Sequence, residues 1–139
     1  MRQENWWNNY VGLPFLALGR DRHGCDCWGL VRLVCAEIFD IPVPDYADSY
    51  EDPYNRDKVS SHIDRAKADF VPVNQGQERE GDIIVLYVSG KGCHVGIVTG
   101  VVGYMLHLMD GTMATVEQYT ARRWSHRVEG FYRYEPESR

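Results

Sequence analysis

Asp26-Cys27-Trp28-Gly29-Leu30-Val31 opens the segment that decides the fold. From here to position 39, apolar side chains recur at the spacing of one helix face: Leu30, Val31, Val34, Cys35 and Ile38. This pattern predicts a helix over residues 26–39. Asp26 is a favourable N-cap, because its carboxylate can accept a hydrogen bond from a free N–H of the first turn. Pro42 disfavours helical geometry at the residue before it and predicts an end near residue 40.

The second half of the chain has the composition of short strands. Its β-branched and aromatic segments, separated by glycines, predict strands over residues 82–89, 94–99, 104–109, 112–117 and 128–134. One helix followed by strands in tight succession predicts an α+β fold, in which an antiparallel sheet carries a helix on one face. A chain of 139 residues has room for one core, so we predict a single domain over residues 1–139. An acidic connection over residues 45–55 and a short surface helix over 56–68 complete the prediction.

Cys27 is the candidate nucleophile. In the first turn of a helix it would meet free backbone N–H groups and the positive end of the helix dipole, which make a thiol easier to ionise. The thiolate is the nucleophilic form, and the backbone N–H of Cys27 can face a developing oxyanion. The four cysteines lack the spacing of a disulfide framework, and we interpret them as free thiols.

His94 and His107 are the candidate base and its partner. If the turn near residues 100–103 is even-membered, so that the numbers of opposed residues sum to 203, His107 faces Gly96 and is a diagonal neighbour of His94. Diagonal positions lie roughly 7–8 Å apart at the backbone, within reach of two imidazoles, and Gly96 leaves room between them. His107 would then orient His94, as the third member of a triad does. A three-residue loop would instead send the histidines to opposite faces.

Two motifs resemble those of the NlpC/p60 family of papain-like cell-wall peptidases: a D-C-x-G helix start and a later H-V-G-I strand. Here they read Asp26-Cys27-Trp28-Gly29 and His94-Val95-Gly96-Ile97. The segments Glu80-Gly81-Asp82-Ile83-Ile84 and Gly130-Phe131-Tyr132-Arg133-Tyr134 extend the resemblance over nearly all the chain. The resemblance implies a papain-like fold.

The resemblance also implies roles for individual residues. Cys27 would attack the substrate, His94 would accept the thiol proton and His107 would fill the polar third position. Asp26 and Trp28 would bind substrate, Trp28 replacing a serine that touches substrate in some relatives. The implied reaction is hydrolysis of an amide in the peptidoglycan stem peptide, usually between D-γ-glutamate and a diamino acid, and it needs no cofactor.

The whole pattern is similar to tail-associated peptidases of tailed phages and gene-transfer particles. Tail hub or baseplate proteins are therefore the expected partners besides peptidoglycan. Residues 1–10 lack the apolar region of a signal peptide, so we expect synthesis in the host cytoplasm followed by assembly into a virion tail. The net charge of −5 gives no basic excess for nucleic acid, and no apolar run is long enough for a membrane helix.

One departure from the family pattern favours an alternative function. Many members carry a tyrosine twelve residues before the cysteine, where this chain has Phe15. Phe15 has no hydroxyl, so that hydrogen bond is absent unless another group, such as Tyr10, approaches the site. The alternative is a structural tail-tip or hub component that keeps the peptidase fold with weak or no activity.

Other interpretations have less support from the residue pattern. Zinc could be held by two close pairs of residues, Cys25 with Cys27 and Cys93 with His94, although their spacings are not those of zinc knuckles. Related papain-like amidases and acyltransferases remain the other enzyme alternative. The remaining histidines lack a partner pattern and are predicted to be exposed: His23, His62 and His126. The arginines of the C-terminal stretch are interpreted as a solvated strand edge: Arg122, Arg123, Arg127 and Arg133.

Overall fold

The computed structural model describes residues 4–43, 69–88 and 91–135, with the backbone alone for residues 91–93. Within these residues a 3₁₀ helix spans Trp6–Asn9, and the α-helices are α1 (Cys27–Ile38) and α2 (Arg122–Ser125). The strands are β1 (Arg20–Asp21), β2 (Gly24–Cys25), β3 (Phe70–Val73), β4 (Ile83–Val88), β5 (Lys91–Val98), β6 (Tyr104–His107), β7 (Thr115–Gln118) and β8 (Val128–Tyr134). The acidic connection and surface helix predicted over residues 45–68, with His62, lie outside the described residues.

Helix α1 begins and ends with specific capping bonds. At its start the Asp26 carboxylate accepts a hydrogen bond from the Gly29 N–H at 2.8 Å, which confirms Asp26 as the N-cap. At its end Asp40 adopts a φ of 55° and the Ile41 N–H donates to the Cys35 carbonyl at 2.9 Å. This bond spans seven residues, one more than the longest bond of a Schellman motif, and Asp40 takes the left-handed conformation that glycine usually supplies at a helix end. The predicted helix is confirmed to within a residue at each end.

Gly29 lets the chain cross closely over the start of α1. A Cβ built at this position would lie 2.1 Å from the Gly19 carbonyl oxygen, far inside van der Waals contact. The Gly19 carbonyl also accepts a hydrogen bond from the Arg20 side chain, which reaches on to Asp26. Gly29 is therefore required by the segment leading into β1, and any larger residue would displace that segment from the helix start.

Six of the strands form one antiparallel sheet in the order β3-β8-β4-β5-β6-β7. The strand latest in the chain, β8, lies between β3 and β4. Helix α1 packs on β5, so the predicted α+β arrangement of a helix on an antiparallel sheet is confirmed. Among the described residues, no helix has both the length and the apolar character needed to cross a bilayer.

The sheet contributes to two apolar clusters. Leu30, Val31 and Val34 of α1 lie in the first cluster, to which β4 contributes Ile83 and Val85. The alternate β4 residues belong to a second cluster, together with Trp124 of α2. Because both faces of β4 are covered, its sequence is a continuous apolar run and does not alternate with polar residues.

Several short elements were not predicted. The hairpin of β1 and β2 has two residues in each strand, and α2 has four. Strand β3 contains Pro72, which is tolerated because β3 lies at an edge of the sheet. The predicted strands at 104–109 and 112–117 are shorter in the structure, ending at His107 and beginning at Thr115 respectively.

Candidate active site

The register of β5 and β6 brings His94 and His107 together. Gly96 pairs with His107 and Val98 with Met105, which is the even-membered register predicted from the sequence. His94 Nε2 lies 2.9 Å from His107 Nδ1, within hydrogen-bond distance. Both side chains are buried, with 2% and 1% of their surfaces exposed. The imidazoles therefore form a fixed pair shielded from solvent.

Gly96 provides the space that this pair needs. A Cβ at Gly96 would lie 3.1 Å from both the His107 Cβ and the Leu106 carbonyl oxygen, and 3.3 Å from the Ile84 Cγ2. These distances are tighter than ordinary van der Waals contact, so a side chain here would push against His107. The glycine of the H-V-G-I segment therefore has a steric role beside the histidine pair.

Trp124 covers the two imidazoles. Its indole stacks on His94, with centroids 6.1 Å apart and planes 24° apart, and meets His107 edge-on at 5.3 Å. The ring is itself 1% exposed, with the Arg123 guanidinium 5.1 Å from its centroid. Trp124 was not among the site residues predicted from the sequence. The one available signal was a tryptophan within a basic stretch just before the last strand.

Glu117 extends the row of hydrogen-bonded side chains. Its Oε2 lies 2.5 Å from His107 Nε2, and its Oε1 accepts a hydrogen bond from Arg123 at 2.9 Å. Glu117 pairs with Met105 and Thr115 with His107, so Glu117 is a diagonal neighbour of His107. Glu117 lies in a strand predicted from the sequence, but its place in the site was not predicted, since that requires the register of β6 with β7.

Burial and hydrogen bonding shift the pKa values of this row. Burial lowers the pKa of His107 below its ordinary 6.5, although the hydrogen bond and charge of Glu117 act in the opposite direction. Burial would raise the pKa of Glu117, but the hydrogen bond from His107 and the charges of His107 and Arg123 outweigh it and lower that pKa. Near neutral pH the row therefore holds an ionised Glu117 beside a neutral His107.

Cys27 is the first residue of α1 and is partly exposed, whereas Cys25 and Cys35 are buried. The Cys25 thiol donates to the Asp21 carbonyl at 3.1 Å, and burial, followed by the nearby Asp26 charge, raises its pKa to about 11. Burial raises the pKa of Cys35 to about 12. Of the three cysteines with described side chains, Cys27 is thus the most accessible to a substrate.

The described side chains do not form a metal site. No group of three or more histidine, cysteine, aspartate or glutamate residues among them could hold an ion. The Cys93 side chain, one of the four considered for zinc, lies outside the described residues.

Asp26 and Trp28 have packing and capping contacts. The Asp26 carboxylate is 1% exposed and binds both the Gly29 N–H and the Arg20 guanidinium, each at 2.8 Å. Trp28 is 2% exposed and lies against Phe70, with ring centroids 6.3 Å apart. This burial leaves little surface for a ligand, and the contacts indicate that both residues stabilise the start of α1. Substrate binding by Asp26 and Trp28 stays a prediction.

Tyr10 does not take the place of the missing tyrosine hydroxyl. Its hydroxyl donates to Glu37 at 2.7 Å, and Glu37 lies ten residues beyond Cys27, or about 15 Å along the helix axis. Tyr10 therefore braces the far end of α1. Phe15, half-buried, packs against the first apolar cluster.

The other histidines and the arginines have different surroundings. His23 and His126 are exposed, as predicted. The arginines are not simply a solvated strand edge, because Arg133 makes a two-bond ion pair with the buried Asp82, at 2.8 and 2.7 Å.

Residues 12–133 match the NlpC/P60 family. The chain belongs to the NlpC/P60 family. No curated protein matches it significantly. The motifs that first indicated the resemblance, at residues 26–29 and 94–97, lie within the matched range.

Solved structures of NlpC/P60 proteins share this fold. An NlpC/P60 family protein from Bacillus cereus is 20% identical, with a TM-score of 0.68 over 92% of this chain and 37% of its own. NlpC2 from Trichomonas vaginalis is 19% identical, with a TM-score of 0.66 over 94% of this chain and 44% of its own. The NlpC/p60 domain of the peptidoglycan hydrolase SagA is 19% identical, with a TM-score of 0.61 over 93% of this chain and 92% of its own. The chain thus spans less than half of the first two proteins, and the likeness establishes a papain-like NlpC/P60 fold.

Proposed function

We propose that the protein is a cysteine endopeptidase that hydrolyses an amide bond in peptidoglycan stem peptides. The observation that carries the proposal is the 2.9 Å contact between His94 Nε2 and His107 Nδ1. In this contact His94 is the base and His107 the group that orients it, while the accessible Cys27 thiol at the start of α1 is the nucleophile. Membership of the NlpC/P60 family supports the same reaction.

In this mechanism Cys27 Sγ attacks the amide carbonyl while His94 accepts the thiol proton. The backbone N–H of Cys27, at the N-terminus of α1, stabilises the oxyanion of the tetrahedral intermediate. His94 then gives its proton to the leaving amine as the C–N bond breaks, which leaves a thioester. Water attacks the thioester with His94 again as base, and the thiol is released.

We further propose that the bond is the one between D-γ-glutamate and the diamino acid, and that the protein acts in the tail of a phage or gene-transfer particle. Made in the host cytoplasm, it would bind hub or baseplate proteins and open the wall locally for genome delivery. The motif pattern Asp26-Cys27-Trp28-Gly29 supports this setting.

Purified protein mixed with labelled muropeptides tests the enzymatic proposal. We expect mass spectrometry to detect cleavage by the wild type and none by Cys27→Ala. Cys35→Ala, on the same helix but buried, is the matched control and should retain cleavage. Undiminished cleavage by Cys27→Ala would exclude Cys27 as the nucleophile.

The second candidate is a structural tail component with weak or lost activity. The Tyr10–Glu37 bond favours it, because neither Phe15 nor Tyr10 offers a hydroxyl near Cys27. Under this alternative, particles carrying Cys27→Ala infect as well as wild type, whereas particles lacking the protein fail to assemble. Loss of infection with Cys27→Ala, in particles that assemble normally, would instead support the enzyme.

A further inference from the structure

Glu117 and Arg123 lie beyond the two histidines. Glu117 Oε2 meets His107 Nε2 at 2.5 Å, while its Oε1 meets the Arg123 guanidinium at 2.9 Å. The guanidinium carries only donors, and an ionised carboxylate only accepts. The donor and acceptor of each hydrogen bond at this end of the row are therefore fixed: Arg123 donates to Glu117, and Glu117 accepts from His107. We call this fixed direction of the hydrogen bonds the polarity of the row.

That polarity passes through both imidazoles. Since Glu117 can only accept, His107 Nε2 must carry a proton, and a neutral His107 then has a bare Nδ1. The bare Nδ1 faces His94 Nε2 at 2.9 Å, so His94 Nε2 must donate. A neutral His94 consequently keeps its lone pair on Nδ1, the nitrogen that His107 does not occupy.

The surrounding contacts hold the rings in place while protons move. Trp124 stacks on His94 and meets His107 edge-on, and Gly96 lies beside the His107 Cβ. Rotation of either ring would lose these contacts. A change at Glu117 is therefore transmitted by a change of tautomer.

We infer that Glu117, oriented by Arg123, is a positioning residue that sets the tautomers of His107 and His94, so that His94 Nδ1 carries no proton and can accept the one from the thiol. The inference rests on the proposed function in taking His94 as the base. Glu117 itself touches neither Cys27 nor a substrate in this mechanism; it acts through His107.

Glu117→Gln separates the polarity of the side chain from its shape. Because Arg123 offers only donors, the new amide should turn its oxygen to Arg123 and its NH₂ to His107 Nε2. His107 must then accept at Nε2 and donate from Nδ1 to His94. His94 in turn holds its proton on Nδ1, the position needed for the thiol proton.

Reversing the outer partner should reverse this effect. In the double variant Glu117→Gln with Arg123→Glu, a carboxylate at position 123 accepts from the amide NH₂ and turns the amide oxygen back towards His107. The original tautomers should return. Arg123 is 65% exposed, so the fold should tolerate this substitution, and Arg123→Glu alone is the matched control for the charge change.

The experiment combines ¹⁵N-histidine NMR of the full chain with muropeptide kinetics. In the wild type, both His94 and His107 should carry their proton on Nε2; Glu117→Gln should move both protons to Nδ1, and the double variant should restore them. We expect kcat of Glu117→Gln to fall by about 10²-fold or more with little change in KM, by analogy with a triad histidine held in the wrong tautomer. Partial recovery of kcat is expected in the double variant.

Nε2 protons that stay in place in Glu117→Gln would overturn the inference, as would Nδ1 protons in the wild type. The same holds if kcat falls equally in the single and double variants although the tautomers are restored. The NMR result does not depend on cleavage. If the wild type cleaves no muropeptide, the proposed function fails while the spectra still decide whether Glu117 sets the tautomers.

Discussion

At the scale of single residues, the three cysteines with described side chains differ in exposure. Burial raises the pKa of Cys25 to about 11 and that of Cys35 to about 12, whereas Cys27 is partly exposed at a helix start. We predict that iodoacetamide at pH 8 modifies Cys27 at least about 10-fold faster than Cys25 or Cys35, because thiolates react and buried thiols stay protonated. Peptide mass mapping over time measures the rates. Equal rates for Cys25 and Cys27 would contradict the prediction.

Gly96 offers a second test at this scale. Gly96→Ala places a Cβ 3.1 Å from the His107 Cβ, and such overpacking costs about 1–3 kcal/mol of the free energy of unfolding. We expect muropeptide cleavage to fall further than this loss explains, since His107 is displaced from His94. Urea unfolding and kcat measure the two effects.

Gly130→Ala is the control for Gly96→Ala. Its Cβ would meet the hydroxyl of Tyr132 at 3.3 Å, the far end of a side chain in β8. It should lower stability slightly and leave kcat unchanged. If both alanines reduced kcat equally, the steric role assigned to Gly96 would be wrong.

The place of Cys27 at a helix start and of His94 and His107 on one face of neighbouring strands could be predicted from the sequence, because helix capping and strand alternation are local patterns. The predicted pairing of Gly96 with His107 was confirmed. Glu117 and Trp124 could not be assigned in the same way. The place of Glu117 in the site depends on the register of β6 with β7. That of Trp124 depends on a four-residue helix whose position is set by packing on the histidines.

At the scale of elements, a buried ion pair joins the start of β4 to the end of β8. Asp82 is 2% exposed, and the Arg133 guanidinium meets both of its oxygens. Asp82→Ala would leave Arg133 without this partner and remove an acceptor from the Arg79 N–H. We expect the free energy of unfolding to fall by about 1–3 kcal/mol, less than for a fully buried pair, because the Arg133 side chain is 26% exposed and can be solvated.

Arg22→Ala is the comparison for Asp82→Ala. Arg22 binds Glu37 at 2.8 Å with half of its side chain exposed, and exposed pairs contribute about 0–1 kcal/mol. Urea unfolding of both variants measures the difference. A loss for Asp82→Ala as small as that for Arg22→Ala would show that β4 and β8 do not depend on the pair.

Predictability also varied among elements. Helix α1 was predicted closely because its apolar stripe, N-cap and following proline agree. The hairpin of β1 and β2 was missed because two-residue strands have no measurable alternation. Strand β3 was missed because Pro72 argues against a strand unless it lies at an edge.

At the scale of the whole molecule, the shifted groups predict a loss of stability in acid. His107 has a pKa below its ordinary 6.5 in the folded state, so the unfolded chain binds its proton first as the pH falls. The stability that the neutral His107 contributes to the folded state is fully present above pH 6.5. It is lost as the pH falls from 6.5 through the pKa of His107 in the folded state. The pKa values of Glu117 and Glu78 are lowered from 4.5 in the folded state. The stability that these two carboxylates contribute is therefore lost as the pH falls further.

Urea unfolding between pH 7.5 and 4 measures this dependence. We expect His107→Asn to be less stable than wild type at pH 7.5. On acidification from pH 6.5, its free energy of unfolding should fall by less than that of wild type. His126→Asn removes an exposed imidazole and serves as the control. Identical pH dependences for His107→Asn and wild type would refute the assignment to His107.

The position of β8 between β3 and β4 bears on how a nascent chain acquires this fold. Phe70 pairs with Tyr134, so β3 has no neighbour in the sheet until the ribosome has added β8. At roughly 5–20 residues per second, several seconds pass between the two strands. During that interval the apolar edge of β4 is also uncovered. Strands β4 to β7 can pair with one another earlier, but β3 can join the sheet only after β8 has been made. Until then the partly made chain exposes unpaired strand edges that chaperones can shield.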